Sequence, residues 1–450
     1  AADTYFTETV FPVLTPKTVD PSHPFPHLAN LSHNLVVTFA DPSGTMLPTE
    51  YAIVEIPGVL EQVVRVDHNA DGDEHSKGAT FVLLPDVIKH FVGDLFRGLR
   101  VGGCWEFRVT RDADLDLREP ESEDLLLDVE RELQTRTFRR AVRLQIDAAM
   151  PTVVEAGLRA GIEISARQTY AIHGPFNIPA LMALYKLNGY DALKDPPFNP
   201  RLAPVMGEAK SIFAILRQRD VLLHHPYESF STVTELLREA ATDPKVLAIK
   251  LTLYRTGGDS VIIDALKTAV RNGKSVAAVV ELKARFDEKN NIVWARELES
   301  AGVHVVYGIV GLKTHCKAAL VVRREGTNTR RYVHLSTGNY NSTTARVYTD
   351  IGFLTADAQI GEDVSQLFNI LTGYNARNIQ AILSGEVERP QFHKLAVSPF
   401  DLVGRVIGLI DEEVRHHERE GGGLIRAKFN SLVDPGVVRE IGRASCRERV

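Results

Sequence analysis

Five consecutive residues, Lys313-Thr314-His315-Cys316-Lys317, place one imidazole between two ammonium groups at alternate positions. At the start of an extended strand, alternate side chains share a face. Lys313, His315 and Lys317 are therefore expected to project together, while Cys316 turns away with Ala318 and Leu320. Such a cluster is costly unless an anion occupies the gap. The positive neighbours also lower the imidazole pKa, which keeps His315 neutral and nucleophilic near neutral pH. That chemistry suits attack on a phosphoryl group. Taken alone, the pattern fits an exposed strand with ordinary surface charges at least as well.

Other groups shift the balance. Arg255 follows the apolar run Val246 to Tyr254, and Arg285 follows the run Ser275 to Leu282. If both runs are strands of one parallel sheet, the two arginines emerge at its C-terminal ends, where α/β folds build their ligand crevice. Two guanidinium forks there suit phosphate oxygens, although surface arginines at loop starts read the same way. Thr337-Gly338-Asn339-Tyr340-Asn341 offers small and amide residues for close backbone approach, or forms a simple turn. Tyr348 is placed to stack on a base or to pack. Two other signals fail. Gly273-Lys274-Ser275 has Thr268 where a P-loop needs its first glycine, and it precedes a strand rather than a helix. Asp67 to Gly72 resembles a calcium loop, but Gly78 stands where the closing glutamate belongs. Its better reading is a polar hairpin tip.

The elements that must hold these groups follow from composition and periodicity. The chain has 450 residues, 44% hydrophobic and 24% charged, with a formal charge of −6. At roughly 150 residues per domain this implies about three domains, each able to bury a core. No run approaches the ~20 apolar residues of a membrane helix, and there is no N-terminal signal segment, so no membrane insertion is expected. Three scattered cysteines fit neither a disulfide framework nor a zinc site. A cytoplasmic protein is expected. The net negative charge argues against a nucleic-acid platform while leaving room for a local basic pocket.

After a proline-punctuated opening (Pro12 to Pro26), expected as an extended packed loop, short strand-like runs follow. They lie at Asn34 to Ala40, Tyr51 to Ile56, Gln62 to Val66, Thr80 to Leu84 and Trp105 to Thr110, and residues 121 to 135 read as a helix. The loop Asp195 to Pro204 marks a boundary. Beyond it strand and helix alternate: strand Val246 to Tyr254, helix Ser260 to Arg271, strand Ser275 to Leu282, helix Asn291 to Ser300, strand Val303 to Tyr307. That alternation implies a parallel sheet with covered faces. A hairpin, Thr314 to Arg323 with Arg331 to Ser336, and a helix from Asp363 to Thr372 follow. Leu424 to Asn430 reads as a strand, and Asp434-Pro435 opens a helix.

The strings Leu253-Tyr254-Arg255-Thr256, Glu281-Leu282-Lys283-Ala284-Arg285-Phe286-Asp287, Gly311 to Lys317, Ser336 to Asn341 and Tyr348-Thr349-Asp350, in that order and spacing, resemble the large polyphosphate kinases. Phe11 to Pro16 and His23-Pro24-Phe25-Pro26 resemble that family's head domain. The resemblance implies a phospholipase D-like α/β catalytic domain preceded by an α+β head domain. The head would cover 1–200, the first catalytic domain 201–382, and the start of a second one 383–450. The charge density and missing apolar periodicity from Arg443 to Val450 are expected to continue no core, which reads as a non-native tail over 442–450 or as a short C-terminal extension. By the same resemblance the family's small N-terminal domain and most of the second catalytic domain lie outside this chain.

The resemblance further implies reversible transfer of the ATP γ-phosphate to inorganic polyphosphate, with His315 as phosphohistidine nucleophile, Lys317 beside it and ADP as product. Arg255 and Arg285 would bind the phosphates that Mg2+ bridges, since an arginine has no free lone pair for a metal. Tyr348 would contact the nucleotide, Asn339 would support it, and the full-length family assembles as homo-oligomers. The phospholipase D pattern continues to an aspartate where this chain has Val322, which disfavours a phosphodiesterase. A polyphosphate-binding protein without turnover is the other alternative.

Overall fold

The strand His33–Ala40 is buried along nearly its whole length, which its alternation explains. Leu35, Val37 and Phe39 enter one core with Phe6, Val10, Val54 and Ile88. Val36 points the other way, into a second core with Ile53, Phe107 and Leu144. A strand covered on both faces must sit inside a sheet. The computed structural model describes the whole chain except residues 1, 21, 42, 44–45, 67–78, 113–124, 136–138, 205–210, 255–259, 283–287, 310 and 448–450. The hairpin tip read at 67–72 lies outside the described residues, as do Arg255 and Arg285.

Contacts divide the chain into Ala1–Leu115 with Glu130–Phe198, and Asp116–Val129 with Asn199–Val450. In the first unit the strands are β1 (Lys17–Val19), β2 (His33–Ala40), β3 (Met46–Glu55), β4 (Val63–Arg65), β5 (Phe81–Leu83), β6 (Val101–Arg111), β7 (Ala141–Asp147) and β8 (Thr169–Ile172). Six of them form a sheet ordered β1-β3-β2-β6-β7-β8, while β4 and β5 pair separately. All neighbours in the large sheet are antiparallel except β7 and β8. The helix Thr152–Ile162 covers the second core with Val154, Leu158 and Ile162, four residues apart along one face. The opening is not wholly extended: Phe6–Val10 and Phe11–Val13 form helical turns. Pro12 sits in the first turn, where a missing N–H costs nothing.

The second unit holds β9 (Val221–His225), β10 (Val246–Leu253), β11 (Ser275–Val280), β12 (His304–Val306), β13 (Lys317–Glu325), β14 (Asn328–Ser336) and β15 (Asp350–Thr355). They form one sheet ordered β12-β11-β10-β13-β14-β15-β9. The three strands β10, β11 and β12 are parallel, as the alternation requires, and the other four add antiparallel. Both crossover helices end where glycine permits a left-handed turn, at Gly273 (φ +75°) and Gly302 (φ +91°). Lys274 is a structural residue: its buried ammonium donates to the carbonyls of Asp243 (2.5 Å) and Val246 (3.1 Å). The helix Ala358–Gly373 starts earlier than the apolar pattern suggests, because the Asp357 carboxylate caps it at the Ile360 N–H (2.9 Å). Among the described residues no helix is long and apolar enough to cross a membrane.

Asp363 on that helix is fully buried, and its carboxylate accepts the backbone N–H groups of His393 (2.8 Å), Lys394 (2.8 Å) and Leu395 (2.9 Å). Burial works to raise its pKa, and the three donors outweigh it, so the carboxyl titrates below its ordinary value. Asp363→Asn keeps the shape but offers one acceptor oxygen, and should cost about 2–3 kcal/mol in urea unfolding at neutral pH. Because the folded pKa is depressed, this stabilisation is present above the unfolded value of ~3.9 and disappears as pH falls through the folded one. Wild type and variant should therefore converge in stability under acid, and a constant gap would contradict the assignment.

Two expectations near the C-terminal end are corrected. Residues 424–430 form no strand: their composition suits one, but they pair with none of the described sheets. The helix Pro435–Arg447 continues through residues expected to lie outside any core. Val437, Ile441 and Ala444 recur at helical spacing and pack on Ile410 and Val414, and Arg443 pairs with Asp411 of the facing helix.

Candidate active site

Strand direction brings the site together. β10 and β11 run in parallel, and the Leu253–Val280 pair ends both ladders at one level. β13 runs opposite to β10, so its first residues lie beside the end of β10. Lys317 pairs with Ser336 at the end of β14, and Ser336 with Gly352 near the start of β15. Five strand ends thus meet at one end of the sheet, and Tyr254, His315, Lys317, Thr337 and Asp350 are among the residues they present.

His315 precedes β13 instead of lying within it, because residues 313–316 have no ladder partners. Side chains hold this segment. The Glu281 carboxylate accepts the Thr314 N–H (2.6 Å), Lys317 Nζ donates to the His315 carbonyl (2.6 Å), and Thr252 Oγ1 donates to the Cys316 carbonyl (2.9 Å). The expected convergence nonetheless occurs. The His315 ring meets Tyr254 edge-on at 5.6 Å between centroids, and Lys313 Nζ and Lys317 Nζ lie 5.4 Å and 5.3 Å from the centroid of that Tyr254 ring.

Electrostatics follow from this packing. Burial, then Lys317, then Lys313 hold the His315 imidazole below its ordinary pKa, so the ring is neutral and has a free lone pair at neutral pH. Lys317 is only 6% exposed, and burial is the main force pushing its ammonium down to about 8. Lys313 adds to that fall, while Cys316 and Asp350 oppose it.

The loop after β14 is anchored from below. His334 is fully buried, its Nδ1 lies 2.8 Å from the Tyr340 hydroxyl, and burial with the nearby His225 pushes its pKa down to about 3. Asn341 accepts the N–H groups of Thr343 and Thr344, a turn-forming role. Asn339 Oδ1 is buried with no hydrogen-bond partner among the described residues. Tyr348 is 63% exposed between the turn Thr344–Arg346 and β15. Val322 packs against the core that holds Leu320 and Phe368. Arg255 and Arg285 lie outside the described residues, so their position relative to His315 is not described. Among the described residues no group of three His, Cys, Asp or Glu side chains could hold a metal ion. Thr252 and Glu281 were not singled out in the sequence; the available signal was a polar side chain ending an otherwise apolar strand.

Gly338 is required by a close approach: a Cβ there would lie 2.6 Å from Asp350 Oδ2 and 2.7 Å from its Cγ. Asp350 also accepts from the Thr337 hydroxyl (2.8 Å). Gly338→Ala should therefore displace the carboxylate and cost about 1–3 kcal/mol in denaturant unfolding. Combining it with Asp350→Ala should recover part of that loss, and strict additivity would refute the clash.

The fold and site define an α/β domain preceded in the chain by an α+β domain. A solved polyphosphate kinase from Porphyromonas gingivalis has the same architecture, with a TM-score of 0.77 at 29% identity over 99% of this chain and 62% of that one. Residues 1–184 match the family model for the polyphosphate kinase middle domain, and residues 211–377 that for polyphosphate kinase C-terminal domain 1. Polyphosphate kinases of Prosthecochloris aestuarii and Mycobacterium bovis are 43% and 45% identical to it, each over 98% of this chain. The chain belongs to the polyphosphate kinase family. It spans 60% and 59% of the length of those two relatives.

Proposed function

We propose that this chain carries the phosphohistidine-forming site of an ATP–polyphosphate phosphotransferase. The observation that carries the reading is the neutral His315 imidazole between two ammonium groups at the convergent strand ends. A ring nitrogen of His315 attacks the γ-phosphorus of ATP, the bond to the β-phosphate oxygen breaks, and ADP leaves with the electron pair. An oxygen at the end of polyphosphate then attacks the phosphohistidine, and the P–N bond breaks. Lys313 and Lys317 offset charge on the transferring group, which is most of what phosphoryl transfer asks of a protein. Arg255 and Arg285 are assigned to the phosphates, Tyr348 to the nucleotide and Asn339 to a supporting polar contact. Where Mg2+ takes part, Arg255 and Arg285 would hold the phosphates that accompany it, and the ion would supply charge neutralisation.

The test is incubation with γ-labelled ATP and Mg2+, and separately with labelled polyphosphate. The expected product is a covalent label that is acid-labile and base-stable. Polyanion binding that weakens with salt, with no label, would favour a binding protein without turnover. Hydrolysis of bis(p-nitrophenyl) phosphate would favour a phosphodiesterase, a reading that Val322 opposes.

A further inference from the structure

We propose that Glu281, assisted by Thr252, is a positioning residue that fixes the backbone carrying His315; the inference rests on reading His315 as the nucleophile. Each observation concerns the peptide groups on either side of the imidazole. Before it, the Thr314 N–H donates to Glu281 Oε2 at 2.6 Å, with Glu281 4% and Thr314 8% exposed. After it, Thr252 Oγ1 donates to the Cys316 carbonyl at 2.9 Å and accepts from the Ala318 N–H at 3.0 Å.

Glu281 is itself rigidly placed. Its N–H donates to the Leu253 carbonyl (3.0 Å), so it extends the junction of β10 and β11, and its carbonyl accepts Asn291 Nδ2 (2.9 Å). Gly308, at φ +58°, passes close to the same carboxylate: a Cβ there would lie 3.7 Å from Oε2. A buried carboxylate close to a cationic cluster does nothing for anion binding. It does supply a strong acceptor to a peptide N–H that no ladder satisfies, and charge-assisted bonds of this kind resist displacement. The consequence is a nucleophile on a segment without strand hydrogen bonds that is still held in one conformation by two neighbouring strands. Near-attack geometry is sensitive at this level, since about 1 Å of misplacement can cost on the order of a hundredfold in rate.

The test compares Glu281→Ala with Glu281→Gln, whose amide oxygen can still accept the Thr314 N–H, and Thr252→Val with Thr252→Ser, which keeps the hydroxyl. In Glu281→Ala the initial rate of label formation from MgATP should fall about a hundredfold, with half-saturating ATP within about threefold of wild type. Glu281→Gln should stay within about fivefold, because acceptor geometry rather than charge is retained. Thr252→Val should lose about tenfold and Thr252→Ser about twofold. A second measurement is independent of turnover: the imidazole Cε1–H signal of His315 in histidine-labelled protein, identified by its loss in His315→Ala. It should shift or split in Glu281→Ala and Thr252→Val, and hold its place in Glu281→Gln and Thr252→Ser. If Glu281→Gln is as impaired as Glu281→Ala, or if the loss appears in ATP affinity alone, the positioning role is overturned. If wild-type protein forms no label, the phosphotransfer reading falls, and the His315 signal alone decides whether Glu281 fixes the ring.

Discussion

Replacing His315 with alanine is expected to reduce covalent labelling by ATP or polyphosphate to background while leaving the thermal midpoint within a few degrees of wild type. The imidazole is the reacting group in the proposed transfer, and Lys313 and Lys317 share its contact with Tyr254. Lys317, an amine of the same cluster, is largely protonated below its pKa of about 8. His334 lies on the adjacent strand but is enclosed in the core, where phosphate could reach it only after local opening. Loss of the nucleophile removes the covalent step itself, so the effect should exceed that of any charge-neutralising residue. Deletion of this small, partly exposed ring, packed at one edge on Tyr254, disturbs little of the core, and this separates the prediction from simple unfolding. An acid-labile label persisting in His315→Ala would place the phosphoryl group elsewhere and sink the assignment.

The second large effect is a bell-shaped pH dependence whose two limbs have named owners. His315 attacks only when neutral, so label formation is lost as pH falls through its folded pKa, which burial and the two lysines hold below the ordinary imidazole value. Lys317 serves only when protonated, so the rate falls again as pH rises through about 8. The profile should be read at low ATP, because kcat/KM reports groups of the free protein and a bound phosphate would raise both values. Lys317→Met should lose about a hundredfold near pH 7, the scale of one preorganised electrostatic contact. Lys317→Arg keeps a cation at every accessible pH. Its rate should be lower, since a planar fork does not fit the space of a buried ammonium, but its alkaline limb should move well above 8. An unchanged alkaline limb in Lys317→Arg would show that another group titrates there.

Much of this was legible before any fold was seen. The helix Ser260–Arg271 carries its apolar stripe and its glycine stop locally, so periodicity alone places it. Lys313, His315 and Lys317 alternate along an extended segment, and extended backbone puts alternate residues on one side whether or not it belongs to a strand. The motif strings, quoted in order, already indicated the family.

What the tertiary structure decided concerns partners distant in sequence. β9 and β15 both lie in the seven-stranded sheet, yet neither run is distinctive until they pair, Asp350 with His225 and Leu354 with Val221. The run 424–430 shows the converse, strand-like residues that pair with none of the described sheets. The active segment is the sharpest case. Its sequence reads as the first residues of a strand, but besides the local bond from Lys317 its hydrogen bonds go to Thr252 on β10 and Glu281 just past the end of β11. Local sequence determined which residues could do phosphoryl chemistry, because charge and nucleophilicity belong to side chains. Only the fold decided how they are held, because satisfying a buried backbone N–H or carbonyl depends on what the rest of the chain brings within about 3 Å of it.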